Sequence, residues 1–237
     1  MFACISVSIL FSESIFAQGS PPLLLNDPDT PGPGKWEINI LTALEHSAVN
    51  DEWQIPLFDI NYGLGDRCQL TVALPYVIDW DKSSGVQRGF DGMEMGIKYR
   101  FVDNSATSGS NFSFFPKVYI PFETEDGSEL MFPLEWHRDW SHFGLTAEVG
   151  HIWVNGKSEG WEGGVGAALF LEPITLLGEW HTRLREAPFD LRDPMVNVGL
   201  TWEWSEAVSF FFSMGKSLHS HEEETNSWRL AGFQFRF

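Results

Sequence analysis

From Lys35 onward the dominant spacing of apolar and polar positions is two residues rather than 3.6, the signature of strands with one apolar face. In segment 195–204, Val196, Val198, Leu200, Trp202 and Trp204 share one face, against Asn197, Gly199, Thr201 and Glu203 on the other. Segment 93–101 repeats the pattern, with Met93, Met95, Ile97, Tyr99 and Phe101 opposite Glu94, Gly96, Lys98 and Arg100. At the C-terminal end Ala231, Phe233, Phe235 and Phe237 alternate with Gly232, Gln234 and Arg236. Twelve such segments are predicted: 35–46, 53–64, 67–77, 91–102, 111–122, 132–140, 143–154, 161–171, 174–184, 195–204, 207–217 and 227–237. Most run about 9–12 residues, the length with which a tilted strand crosses a bilayer.

The connections add a second signal. Very short ones follow the second, sixth, eighth and tenth segments: Gly65-Asp66, Ser141-His142, Glu172-Pro173 and Ser205-Glu206. Longer, more polar ones, such as 78–90, 123–131, 185–194 and 218–226, follow the odd-numbered segments, and 103–110 is a longer exception on the short side. Alternation of tight and long connections is the habit of membrane barrels, with tight turns on the periplasmic side. The predicted fold is all-β: an antiparallel up-and-down transmembrane β-barrel of about 12 strands, with both ends of the barrel sequence on the periplasmic side.

Composition sharpens this reading. The 237 residues include 20 Phe, 11 Trp and 4 Tyr, a load hard to hide in a soluble domain but natural on a lipid-facing surface. Trp36, Phe101, Trp140, Trp204 and Phe237 lie at one end of the strands, and Trp53, Tyr76, Phe122, Trp161 and Trp228 at the other, as two interfacial girdles. The face opposite the aromatics carries charge at mid-strand, which is tolerable in a membrane only toward a wet or paired interior. Glu94, Lys98, Arg100, Lys117, Glu135, His137, Glu148, Glu179, His181 and Glu203 are therefore the expected lining of the lumen. Two polar networks are expected within it, Glu135 with His137 and Asp139, and Glu179 with His181 and Arg183. Cations on the fourth and fifth strands facing anions on the sixth and seventh would set a transverse field across the lumen. A soluble sandwich would neither sort its connections this way nor carry two girdles. The net charge of -18 excludes a nucleic-acid partner, which requires a basic footprint. No apolar run is long enough for a transmembrane helix.

Residues 1–17 are largely apolar and small, end in Ile15-Phe16-Ala17, and read as a signal peptide, although Glu13 interrupts them and no Lys or Arg precedes Lys35. Residues 18–34, rich in proline, form a periplasmic leader without regular secondary structure, which either hangs free or enters the lumen as a plug. Residues 35–237 form the barrel. With Cys4 in the signal segment, Cys68 is left alone, so no internal disulfide is expected. Asp27 and Asp29 lack the glycine and glutamate spacing of a calcium loop.

The leader and first strand, Asn26-Asp27-Pro28-Asp29-Thr30-Pro31-Gly32-Pro33-Gly34-Lys35-Trp36-Glu37-Ile38-Asn39 after Pro21-Pro22, resemble the opening of the bacterial outer-membrane family labelled "meta-pathway of phenol degradation". Pro56-Leu57-Phe58-Asp59-Ile60-Asn61-Tyr62-Gly63-Leu64-Gly65-Asp66-Arg67 and the region of Tyr76 continue the likeness, which is specific over 21–76 and architectural beyond. The resemblance implies a small outer-membrane barrel with a transport role and assigns no catalytic residue. The alternation Phe233, Phe235, Phe237 is also similar to the terminal signal read by the barrel-assembly machinery.

Other chemistry is sparse. Ser220 lies between His219 and His221, ahead of Glu222, Glu223 and Glu224; an extended chain points the serine away from both histidines, and an acidic exposed loop is the simpler reading, with cation binding as a lesser one. Gly160, Gly163, Gly164 and Gly166 do not follow the order of a nucleotide loop and instead make room inside a strand. The functional expectation is a narrow channel or facilitator for small solutes, without catalytic, cofactor or metal site, in contact with outer-membrane lipid and lipopolysaccharide. The alternatives are a barrel with no open pore, structural or partner-binding, and a rim lipid hydrolase.

Overall fold

The computed structural model describes residues 22–81, 85–107, 109–122, 127–185, 190–218 and 227–237; of residues 105, 185 and 190–193 only the backbone is described. Fourteen β segments make one closed sheet: β1 (Trp36–His46), β2 (Asn50–Gly63), β3 (Cys68–Asp81), β4 (Gly85–Phe90), β5 (Gly92–Val102), β6 (Asn111–Phe114), β7 (Lys117–Pro121), β8 (Glu129–Asp139), β9 (Phe143–Val154), β10 (Lys157–Leu171), β11 (Ile174–Arg185), β12 (Asp190–Ser205), β13 (Val208–Ser217) and β14 (Ser227–Arg236). β4 and β5 pair in succession with β3 and count as one stave; β6 and β7, which both bridge β5 to β8, count as another. The result is a twelve-stave antiparallel barrel.

The seam closes between the first and last strands. Glu37 pairs with Arg236 and Leu41 with Gly232, and Trp36 and Phe237 exchange both backbone hydrogen bonds at 3.1 and 3.0 Å. A closed ladder leaves no unpaired edge in lipid, the condition for a sheet to span a membrane. Where Pro116 cannot donate, the ladder holds through Ile97 N–H to Pro116 O at 3.1 Å and Phe115 N–H to Pro133 O at 3.0 Å.

Burial is inverted relative to a water-soluble domain. Ile97, Val149, Val165 and Val198 are exposed around the outside, while Asn39, Ser113, Glu135 and Asn197 are fully buried inside. Period-two alternation thus presents an apolar exterior to lipid and a polar interior to the lumen. Trp36, Phe101, Trp204 and Phe237 at one rim, and Trp53, Phe122 and Trp161 at the other, are exposed as the girdles require. Trp140 and Tyr76 are half-buried, the first stacked on Phe143 and the second edge-on to Phe90.

Three expectations need correction. Trp228 does not belong to the girdle: it is 1% exposed and points inward, because it shares the parity of Leu230 and Gly232 and packs in the cluster with Phe211, Met195 and Leu230. Of the segment 78–90, residues 78–81 and 85–90 are strand rather than loop. Val77, Ile78 and Trp80 continue β3 and pair with Gly89, Arg88 and Val86 of β4. The connections after the first and seventh segments are tight as well, since β1 and β2 are separated by residues 47–49 only, and β9 and β10 by Asn155-Gly156. In the last two cases the ladder hydrogen bonds continue and prolong the strands into the expected loops.

The candidate functional site is the lumen and the leader inside it

The described part of the leader runs inside the barrel. Gly32 and Gly34 adopt φ of +88° and +73°, values that L side chains rarely take, and turn the chain out of the lumen into β1. The exit is fixed by Gly34 N–H to Gly63 O (2.8 Å) and Gly63 N–H to Lys35 O (2.9 Å). Only glycine fits at 63, where a Cβ would fall 1.8 Å from Gly32 O. Deeper in, Pro22, Leu24, Leu25, Asn26 and Pro28 are all buried. Pro22 rests against Gly199 and Leu25 against Gly166, so small inward positions on β12 and β10 make room for it.

Two sectors of wall hold this segment. On one side Leu24 joins an apolar cluster with Leu41, Leu57, Met195, Phe211, Trp228 and Leu230. On the other, charged side chains bind its main chain. Glu179 accepts the N–H of Leu24 at 2.9 Å and of Leu25 at 3.1 Å, and the Nδ2–H of Asn197 at 2.5 Å. Glu148 Oε2 accepts the backbone N–H of Asn26 at 3.0 Å and its Nδ2–H at 2.8 Å. Lys98 Nζ donates to Asp27 O, and Arg100 reaches Asp29 Oδ1 at 3.0 Å.

The remaining residues expected in the lining are placed as follows. Lys98 and Glu135, both buried, form an ion pair at 3.4 Å, and Ser113 Oγ donates to the same Glu135 oxygen. Glu94 and Lys117 are buried on neighbouring strands β5 and β7, where Lys117 lies opposite Gly96. His137 bonds Thr146 Oγ1 and Asp139 Oδ1, each at 2.8 Å. His181 is buried. Glu203 is largely exposed near the mouth, 4.0 Å from Arg236 Nη2.

The two expected networks are therefore divided differently. Glu135 turns to Ser113 and Lys98 while His137 keeps Asp139. Glu179 turns to the leader, and Arg183 pairs at 3.0 Å with Glu162, a residue on the inward face of β10 whose parity matches Gly164 and Gly166 but which was not singled out. Lys98 thus meets an anion in contact rather than across the lumen. Phe115 was also missed; it is buried beside the Phe115-Pro116 break, with Lys98 Nζ 4.8 Å and Lys117 Nζ 5.2 Å from its ring centroid. The His219–Glu224 loop lies outside the described residues, as do the signal segment and Cys4. Among the described residues no cluster of His, Cys, Asp and Glu is placed to hold a metal ion.

Between the leader and the wall a cavity of about 410 Å³ extends toward the rim that carries Trp36 and Phe237, bordered by Asp27, Thr30, Glu94, Phe115, His137 and Glu203 among others. Most of its border is polar, so it is suited to water and to small polar solutes.

A closed barrel of this size, apolar outside and polar within, is a bacterial outer-membrane barrel. Its fold is similar to that of an outer membrane channel from Pseudomonas putida F1, with a TM-score of 0.70 at 10% identity over 86% of this chain and 96% of that one. It is also similar to the NanC porin, with a TM-score of 0.61 at 5% identity over 84% of this chain and 98% of that one. No family model matches the sequence, and no curated protein matches it.

Proposed function

We propose that the protein is a narrow outer-membrane channel or facilitator for the passive movement of small solutes. The observation that carries this reading is how the lumen is filled. Wall side chains do not close it by packing against each other; a separate segment held mainly through polar contacts does so, with a cavity of about 410 Å³ beside it. A twelve-strand cylinder lies between barrels that side chains fill and those that hold open channels. The channel and porin neighbours support the fold this reading needs. The resemblance of residues 21–76 to the phenol-degradation family adds small aromatic or hydrophobic compounds as candidates for the solute. No catalytic step is assigned.

Single-channel conductance of the refolded full chain in a planar bilayer tests it. Discrete steps are expected, with ion selectivity that shifts when Lys98, Arg100 and Lys117 are all neutralised. Unchanged selectivity would refute the lining assignment. The second reading, a barrel shut by its leader that serves the envelope structurally, is favoured by the burial of Pro22, Leu24, Leu25 and Asn26, and a silent bilayer with an intact barrel would select it.

A further inference from the structure

The wall that grips the leader reads main chain, not only side chain. Three successive amides, of Leu24, Leu25 and Asn26, are accepted by two carboxylates, and the next carbonyl, of Asp27, is taken by an ammonium. These are the donor and acceptor groups of any peptide, and the chain bends here so that two neighbouring N–H groups converge on one carboxylate. Beside them the cluster around Trp228 and Phe211 takes one apolar side chain, and Gly166 leaves a shallow place for the next.

We propose that Glu148, Glu179 and Lys98 form a peptide-binding site in the lumen, filled in the resting protein by residues 24–27, and that short peptides are the solutes it admits in the leader's place. The chemistry separates this class from simpler ones. An alkylammonium satisfies the two carboxylates but offers no acceptor to Lys98. A carboxylate-bearing solute pairs with Lys98 and meets two anions. Only a molecule that alternates N–H donors and C=O acceptors at peptide spacing answers all three side chains. Passage of such a peptide rests on the channel reading above; its binding does not.

The test uses the full chain carrying Leu24→Asp, which places a carboxylate against Glu179 and the apolar cluster and so frees the site. The probe is a dye-labelled copy of residues 24–29, blocked at both ends, followed by anisotropy in detergent and by block of conductance in a bilayer. In the unsubstituted protein the tethered leader competes at an effective concentration on the order of millimolar. The substituted protein should therefore bind the probe at least about tenfold more tightly. Adding Glu148→Gln and Glu179→Gln should weaken that binding about tenfold or more, because charge-assisted hydrogen bonds are replaced by weaker ones. The double change Leu24→Pro and Leu25→Pro, which deletes both N–H groups offered to Glu179 without adding charge, is the second route to a free site. Binding no tighter than in the unsubstituted protein by both routes would overturn the proposal, as would indifference to the two Gln changes. Displacement of the probe by hexylamine or hexanoate as effectively as by unlabelled peptide would also overturn it. Probe binding in a protein that never conducts would uphold the site and refute the channel.

Discussion

Glu179→Gln isolates the strongest contact between wall and leader. Glu179 is 4% exposed and accepts three hydrogen bonds, two from successive leader amides and one from Asn197. Glutamine preserves the shape but removes the charge and turns one acceptor oxygen into an NH₂ donor. Whichever way the amide rotates, one of the groups it meets is a donor facing a donor. A hydrogen bond to a charged group contributes about 1.5–3 kcal/mol and a neutral one about 0.5–1.5. One weakened bond and one lost bond therefore reduce leader docking by about 2–4 kcal/mol. At about 1.4 kcal/mol per tenfold, the population with the leader released rises by roughly 30- to 1,000-fold. Amide hydrogen exchange over residues 23–28, read by mass spectrometry on the refolded protein, reports that population directly. Glu203→Gln is the control: its side chain is 62% exposed at the mouth, and it should leave exchange at 23–28 unchanged. Exchange in the Glu179 variant within about twofold of the unsubstituted protein would refute the docking energetics.

Further outcomes follow from burial and pairing. Trp228→Ala should lower stability by about 3–5 kcal/mol, seen as a fall in the temperature of the heat-induced gel shift. Trp161→Ala, on the lipid-facing side, should change it by no more than about 1 kcal/mol. Glu135→Gln removes the carboxylate from buried Lys98 and should cost about 3–5 kcal/mol in denaturant unfolding, most of it recovered when Lys98→Met is added. Asp29→Asn, by contrast, should shift stability by less than about 1 kcal/mol, because the Asp29 side chain that meets Arg100 is 61% exposed.

Most of the barrel was legible because one physical rule governs every strand. Lipid outside and polar lumen inside force period two, and residues such as Val198 and Asn197 declare their faces without reference to any partner. Trp228 shows the limit of reasoning from residue type. A tryptophan near a strand end suits a girdle, yet parity with Leu230 sends it inside, into the cluster with Phe211 and Met195. The strand extensions within 78–90 were hidden because Asp79, Asp81, Gln87 and Arg88 make the stretch polar enough to read as a loop, although Ile78 and Trp80 keep the alternation and the ladder continues. The grip on the leader was not legible at all. A proline-rich stretch carries no periodicity, and its partners Glu148 and Glu179 lie 122 and 154 or more residues away. The inward carboxylates were visible as wall charges, but nothing in their spacing says that main-chain amides answer them.

That pairing follows from how charge is distributed around the wall. Glu135 has Lys98, across the β6–β7 stave, and Glu162 has Arg183 on the adjoining strand, so those two carboxylates are met by cations. The described bonds to Glu148 and Glu179 come from neutral donors, Leu24, Leu25, Asn26 and Asn197. Burying an anion without a partner is costly, and two to three N–H donors are an effective substitute for a cation. The leader thus supplies N–H donors at Glu148 and Glu179, where the described hydrogen bonds come from neutral groups. Release of the leader must bring water, or a solute with N–H groups, to the same oxygens. The cost of opening is then a difference between two sets of hydrogen bonds, not the full cost of exposing bare charge. A plug held this way can be firmly seated and still exchange with a competing solute, which a plug packed only through apolar side chains would not do as readily.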